Sequence, residues 1–575
     1  MARAWIVGML SALLGVQAGG AEPTFTRHVV VSQESHASDV GRDVLRLGGN
    51  AVDAAVATAH ALAVTLPEAG NLGGGGFIVA FDARSGKVVT FDFRETAPAA
   101  SSPRMYLGAD GKPRPRYRAG AWAAGTPGTV RGLALAHARL GKRPWAELVQ
   151  PAARLAKDGF PISADLARSL NRQLAEPPAP RKAGTRDDFG RLADFPESRA
   201  AFSRPDGAPW KAGDRLIQGD LAQTLERIAA AGPDDFYTGR TAELIAAYMK
   251  KHGGFVSLED LKSYQAKARP SVHTTYRGHE IHGVGPASSG GVVICQALNI
   301  LEDFDLKADG PSSPRTLHRV AEAMRRAYCT RALRLGDPDF VSIPVDELVS
   351  KPYARRLAQS IGDRATNSQD LAPFRVLPAE SDHTTHFSVL DSEGNAVAMT
   401  YTLEDPYGAK CVVEGAGFLL NNEMGDFNVI PGRTDVTGLI GTEPNQIAPG
   451  KRMLSSQAPT LVLKEGRVRI VTGSPGGRTI PNTTLWILLN VLDFGMDARR
   501  AVDAPRTHHQ WFPDRLVLEG RTWPAETLAA LAAMGHQTRT TPRQGVANTI
   551  VVAENGRTIE GAADHRREPS RASGD

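Results

Sequence analysis

The chain has 575 residues, 42% hydrophobic and 22% charged, with a formal net charge of +5 at pH 7. Length leaves room for several domains or one large fold, and the composition excludes collagen-like or low-complexity chains. Arg, Asp and Glu are interspersed, and no basic stripe alternates with aromatics, which removes nucleic-acid binding from the candidates.

The N-terminus MARAWIVGMLSALLGVQAGGAEP carries Arg3, an apolar run from Ala4 to Val16, and then small residues. That is the layout of an export signal, and the run is short for a bilayer span. Cleavage after Ala18 or after Ala21 fits; a retained anchor is the second reading. The mature protein is expected outside the cytoplasm, periplasmic or secreted, with no membrane segment.

Ser38 to Val64 reads as a helix broken at Gly48-Gly49-Asn50, with an Ala-rich second part. The run Gly73-Gly74-Gly75-Gly76 follows. It lacks the Lys-Ser/Thr of a phosphate loop, so it is read as a tight backbone crossing in the core. FIVAFD and VVTFDFRE alternate as two strands around Ala83–Gly86. Residues 175–215 read as an irregular surface excursion, and 312–365 as helical and basic. Ala365 to Asp382 is loop-like, and strands resume after Thr384, with Val468–Thr472 and Ile550–Val552 among them. The closing HRREPSRASGD reads as a disordered tail.

Cys295, Cys329 and Cys411 are the only cysteines. Three unpaired thiols is the reading taken, with one bridge as the alternative. No zinc spacing or HExxH pattern occurs, so neither metal nor cofactor is expected.

FSVLD and NAVAMTYT flank Asp391-Ser392-Glu393-Gly394-Asn395, a strong turn signal. A hairpin symmetric about Glu393 places Thr384 opposite Thr402 on one sheet face, with β-carbons roughly 5 Å apart. A one-residue slip would undo this pairing. A threonine hydroxyl needs a base to become a nucleophile, and one solution is a terminal threonine whose own α-amine serves. Thr384 is internal, so this chemistry requires a cut between His383 and Thr384. Thr385 is read as an ordinary strand residue.

TTHFSVLDSEGNAVAMTYT, LLNNEMGDF (419–427), KRMLSSQAPT (451–460) and TGSPGG (472–477) resemble the small subunit of γ-glutamyltranspeptidases. Upstream, GGNAVDAAVA (48–57), GNLGGGGF (70–77), FDFRETAPA (91–99), GTPGTVRGL (125–133), QPAARLAKDGFPIS (150–163) and SSGG (288–291) resemble the large subunit. The resemblance implies an α+β fold, the four-layer αββα sandwich of N-terminal-nucleophile hydrolases, built jointly by large and small subunits. It implies a signal peptide over 1–21, a large subunit over 22–383 and a self-released small subunit over 384–575, held together as a heterodimer. The implied substrates are glutathione or related γ-glutamyl donors, with water, amino acids or peptides as acceptors.

Roles carry over by resemblance. Thr384 is the nucleophile and Thr402 its hydrogen-bond partner. Gly476 and Gly477 form the oxyanion hole. Arg94, Ser455 and Ser456 hold the α-carboxylate, and Glu404, Glu423 and Asp426 hold the α-ammonium. Glu404 stands where many members have asparagine, and Thr437 where some place a gating tyrosine. Two rivals are an acylase of glutaryl side chains, favoured where the ammonium-binding acids are lost, and an inactive binder of γ-glutamyl ligands. The intact acids argue against the first, and the complete set of reactive residues against the second.

Overall fold

The computed structural model describes residues 24–175, 190–372, 384–435, 440–520 and 523–575. The leader, His383 and Thr437 lie outside the described residues.

Two seven-stranded sheets lie face to face. Across the first run Arg571–Gly574, Val29–Ser32, Thr385–Leu390, Ala396–Thr402, Gly75–Asp82, Lys87–Asp92 and Lys267–Arg269. Across the second run Thr24–Phe25, Ile559–Ala563, Asn548–Val552, Arg467–Thr472, Thr460–Lys464, His279–Gly283 and Val272–Tyr276. Both sheets draw strands from before and after residue 384. A cut there leaves each piece holding strands whose hydrogen-bond partners lie on the other.

The two-residue period of a strand sorts side chains into separate layers. Phe387, Val389, Val397, Met399 and Tyr401 face a helical layer containing the Ala51–Thr65 helix. Leu390, Ala396 and Ala398 face the second sheet, where Leu461, Val471 and Ile550 close the central core. The far side of the second sheet is covered by the helices Gly290–Leu301, Pro314–Arg334 and Ile480–Leu492. The order is helix, sheet, sheet, helix, as the resemblance implied.

The Gly48–Asn50 break becomes a helix start. Asn50 Oδ1 accepts from the Val52 and Asp53 N–H groups, both at 3.0 Å, and the Asp53 carboxylate returns a bond to the Asn50 N–H. Every residue from Ala51 to Thr65 is buried. Alanine on most faces lets this helix approach its neighbours on all sides.

The glycine run has the expected close contacts. A β-carbon on Gly74 would lie 2.0 Å from the Thr402 carbonyl oxygen, and one on Gly76 2.4 Å from that of Thr400. Only glycine lets this strand pass so near the Thr402 backbone. Asn71 secures the same point, its Nδ2 donating to the Thr402 carbonyl at 2.9 Å.

Three expectations require correction. The C-terminal residues are not a disordered tail, because Arg571–Gly574 forms the edge strand beside Val29–Ser32. An otherwise open sheet edge supplies main-chain partners that a polar sequence does not advertise. Within 175–215, residues 176–189 lie outside the described residues. The described part is not a surface excursion, since Leu192, Phe202 and Trp210 are buried in a helical core. The stretch before residue 373 is also more fixed than a loop. The Ser368 N–H donates to Asp514 at 2.7 Å, and Arg325 Nη1 donates to the Ser368 hydroxyl at 2.7 Å. All three cysteines are buried and unpaired. No helix among the described residues is long and apolar enough to cross a membrane.

Candidate active site

The hairpin register runs from Leu390 opposite Ala396 to Thr385 opposite Tyr401, symmetric about Glu393 as the turn predicted. One step further brings Thr384 beside Thr402, on the face that looks toward the second sheet. Both line one pocket. Thr384 is 8% exposed, so its surroundings are protein on nearly every side.

Thr402 is poised by its neighbours. The Glu404 N–H donates to Thr402 Oγ1 at 2.8 Å, so a lone pair of this hydroxyl is already used. Its own hydrogen is then the group it offers an adjacent oxygen. Delivering that N–H requires an unusual backbone: Glu404 has φ +81°, a conformation that costs a residue other than glycine about 1–2 kcal/mol. The Glu404 carboxylate is pinned at both oxygens. Arg118 Nη1 donates to Oε1 at 3.3 Å, and Asn422 Nδ2 donates to Oε2.

Arg94 lines the same pocket. It is 1% exposed and meets Glu423 at 2.7 Å, Glu95 at 3.4 Å, and Asp426. Burial works against its charge, but these three carboxylates outweigh burial and hold its pKa above the usual value. The acids outnumber the cations they face. Burial, reinforced by Glu95, Asp426 and Glu404, pushes the Glu423 carboxyl well above the usual range despite Arg94. Burial and the adjacent Asp405 do the same to Glu404 against Arg118. Glu95 is pushed up to about 7, chiefly by burial. The buried carboxyls Glu95, Glu404 and Glu423 are therefore harder to ionise than free ones, while Arg94 stays charged.

Ser455, Ser456 and Gly477 complete the wall next to Thr384. Gly476 and Gly477 have φ of +134° and +54°, and a β-carbon on Gly476 would strike Thr479 Oγ1 at 2.4 Å. The Gly476 carbonyl is turned away, accepting from the Thr479 N–H at 2.9 Å and its hydroxyl at 2.8 Å. Among the described residues neither glycine N–H is paired with a backbone carbonyl. Nine of the predicted residues line one pocket, and Gly476 adjoins it through Gly477.

No side-chain base stands ready on the threonine strand. His386 shares the face of Thr384, but its ring nitrogens are taken by Thr400 Oγ1 at 2.8 Å and Ser388 Oγ at 3.1 Å. Burial lowers its pKa to about 3, so it stays neutral.

The model for the gamma-glutamyltranspeptidase family matches residues 37–574. The chain belongs to the γ-glutamyltranspeptidase family. A relative named glutathione hydrolase proenzyme, from Escherichia coli (strain K12), is 43% identical over 540 residues, covering 94% of this chain and 90% of its own. The acylase ACY 1 proenzyme of Pseudomonas sp. (strain SE83) is 36% identical over 547 residues, covering 94% and 92%. The crystal structure of a cephalosporin acylase from Bacillus halodurans superposes with a TM-score of 0.82 over 99% of each chain. At 24% identity that likeness concerns the fold alone.

The chain also brings residues to the pocket that sequence reasoning missed. Arg331, from the Pro314–Arg334 helix, donates through Nη2 to Ser456 Oγ at 3.1 Å and through Nε to Ser289 Oγ at 3.0 Å. Nothing in the sequence singled it out from the other basic residues of that helix. Arg478 directly follows the glycine pair, and Gln457 directly follows the serine pair. Both sat inside quoted motifs, so adjacency was the available signal. Arg118 and Asn422 act one layer back; Asn422 also sat inside a quoted motif, whereas no local pattern marks Arg118.

Proposed function

We propose that the γ-glutamyl transfer and glutathione hydrolysis of this family run in this chain through Thr384, released as an N-terminal residue by self-cleavage. The observation that supports this best is the hairpin register, which sets Thr384 opposite Thr402 at a pocket that Arg94 and its acid partners also line. The chain is a γ-glutamyltransferase and glutathione hydrolase with a threonine nucleophile. The precursor runs as a leader over 1–21, a large part over 22–383 and a small part over 384–575, with export to the periplasm or beyond.

In the first reaction Thr384 Oγ1 attacks the carbonyl carbon of His383. The C–N bond breaks, the nitrogen keeps its pair and gains a proton, and an ester joins the two parts. Water hydrolyses that ester, leaving a carboxylate on His383 and a free amine on Thr384. The parts stay together because both sheets hold strands from each. The new α-amine, with an ordinary pKa of about 7.7–8.0, then serves as the base that His386 does not provide.

In turnover the amine takes the Thr384 hydroxyl proton as the oxygen attacks the γ-carbonyl of the donor. Negative charge grows on the carbonyl oxygen, where the Gly476 and Gly477 N–H groups receive it; one such donor contributes roughly 2.7–4 kcal/mol to the transition state. The amine returns its proton to the leaving nitrogen, and a γ-glutamyl ester remains on Thr384. Water, an amino acid or a peptide then accepts the group. Arg94, Ser455 and Ser456 hold the donor's α-carboxylate. Glu404, Glu423 and Asp426 hold its α-ammonium.

Denaturing electrophoresis with N-terminal sequencing tests the first half. A fragment beginning at Thr384 is expected, absent in Thr384→Ala; a folded wild-type protein that stays one chain would refute self-cleavage. Chromophore release from γ-glutamyl and glutaryl anilides tests the second. Turnover of the glutaryl compound alone would transfer the chain to the acylase reading.

A further inference from the structure

Gln457 is 2% exposed and lines the same pocket as Thr384. Its main chain is fully engaged: the N–H donates to Ser455 Oγ at 3.0 Å, and the carbonyl accepts from Ser288 Oγ at 2.6 Å. The segment cannot shift, because a β-carbon on Gly290 would already sit 2.2 Å from the Gln457 carbonyl oxygen. Yet neither Oε1 nor Nε2 of its carboxamide has a hydrogen-bond partner. Native proteins rarely leave both ends of a buried amide unpaired, since each unmade bond carries a desolvation penalty. Such a group beside a nucleophile has the signature of one whose partner arrives with the ligand.

The chemistry of that partner follows from what else the pocket holds. Arg94 is paired with Glu423 and Asp426, Arg331 with Ser456 and Ser289, and Glu404 with Arg118 and Asn422. Gln457 is a neutral group with donors and an acceptor on one plane, and none of them is engaged. An α-amino-acid head presents the complement, a carboxylate that only accepts and an ammonium that only donates, both on one carbon. We propose that the Gln457 carboxamide is a specificity-determining contact for the amino-acid head of the donor. Nε2 donates to the α-carboxylate beside Ser455 and Ser456, and Oε1 accepts from the α-ammonium. This assignment rests on the γ-glutamyl reading of the Thr384 pocket.

Gln457→Met keeps the length and removes both hydrogen-bonding atoms; Gln457→Asn keeps the carboxamide but withdraws it by one carbon. Each is made in the full chain, its processing to two fragments is checked, and steady-state kinetics are run on γ-glutamyl and glutaryl anilides. In Gln457→Met, KM for the γ-glutamyl compound should rise about tenfold, the lower bound for losing a hydrogen bond to a charged group. The maximal rate should change much less, and the melting temperature should stay level or rise, because an unpaired buried amide has been removed. The ratio of kcat/KM between the γ-glutamyl and glutaryl compounds should narrow. Gln457→Asn should raise KM as well, to a smaller extent. Unchanged KM and unchanged discrimination in both variants would overturn the assignment and leave Gln457 as unpaired packing. Wild-type activity on the glutaryl compound alone would overturn the substrate reading itself, and Gln457's role with it, before any variant is compared.

Discussion

Replacing Arg94 by methionine isolates the electrostatics of the pocket. The guanidinium is 1% exposed and lies 2.7 Å from Glu423 and 3.4 Å from Glu95, both fully buried, with Asp426 as a third partner. Methionine fills much of the same volume but leaves the acids uncompensated, and breaking a buried pair from one side costs about 3–5 kcal/mol. The cost depends on pH. Glu95 is already raised to about 7 from an ordinary 4.5, and Glu423 is raised as well. A carboxyl with a raised folded pKa binds its proton more tightly in the native state. Its contribution is full below the ordinary value and is lost as pH rises through the folded one. Without Arg94 those protons are held more tightly still, so the fold tolerates the change at pH 5 and suffers at pH 8. Thermal unfolding of Arg94→Met should therefore show a small drop in melting temperature at pH 5 and a larger one at pH 8. Adding Glu423→Gln should recover part of the loss at pH 8 without restoring turnover of a γ-glutamyl anilide. An equal drop at both pH values, or no recovery in the double variant, would show that the acids are not coupled through Arg94.

Thr402→Val removes the hydroxyl at nearly constant volume and strands the Glu404 N–H that donates to it at 2.8 Å. Self-cleavage should slow and kcat fall by about a hundredfold, the scale of one hydrogen-bonding group at a reacting oxygen, while Thr402→Ser should lose far less. Gel densitometry and anilide kinetics read the two effects, and wild-type rates in the valine variant would remove Thr402 from the mechanism. Deleting residues 571–575 strips the edge strand from Val29–Ser32, together with the Arg46 pairing to Asp575. Melting temperature should fall and aggregation rise, because an apolar strand edge is newly exposed. A truncated protein with unchanged melting and solubility would show that the strand adds nothing.

Legibility in the sequence followed the range of the interaction. The Glu393-centred hairpin was readable because a tight turn sets register over a few residues. The Asn50 break was readable because helix capping is local. Gly476 and Gly477 were named through resemblance, and the structure gives the backbone reason in their positive φ values. The C-terminal strand was not readable, because Arg-Ala-Ser-Gly has little strand character and pairs only through its main chain with an edge more than five hundred residues away. Phe202 and Trp210 misled for a related reason: their helical cover comes from elsewhere in the chain.

The sequence by itself set Thr384 opposite Thr402 and supplied the motif-borne inventory of the pocket. Tertiary structure alone decided how those groups are charged and held. It set Arg94 among three carboxylates, tied Glu404 to Arg118 and Asn422, placed Arg331 behind Ser456, and left the Gln457 carboxamide unpaired. Hairpin register is local and depends on a turn. Buried charge balance depends on every group within a few ångströms, whatever its distance along the chain.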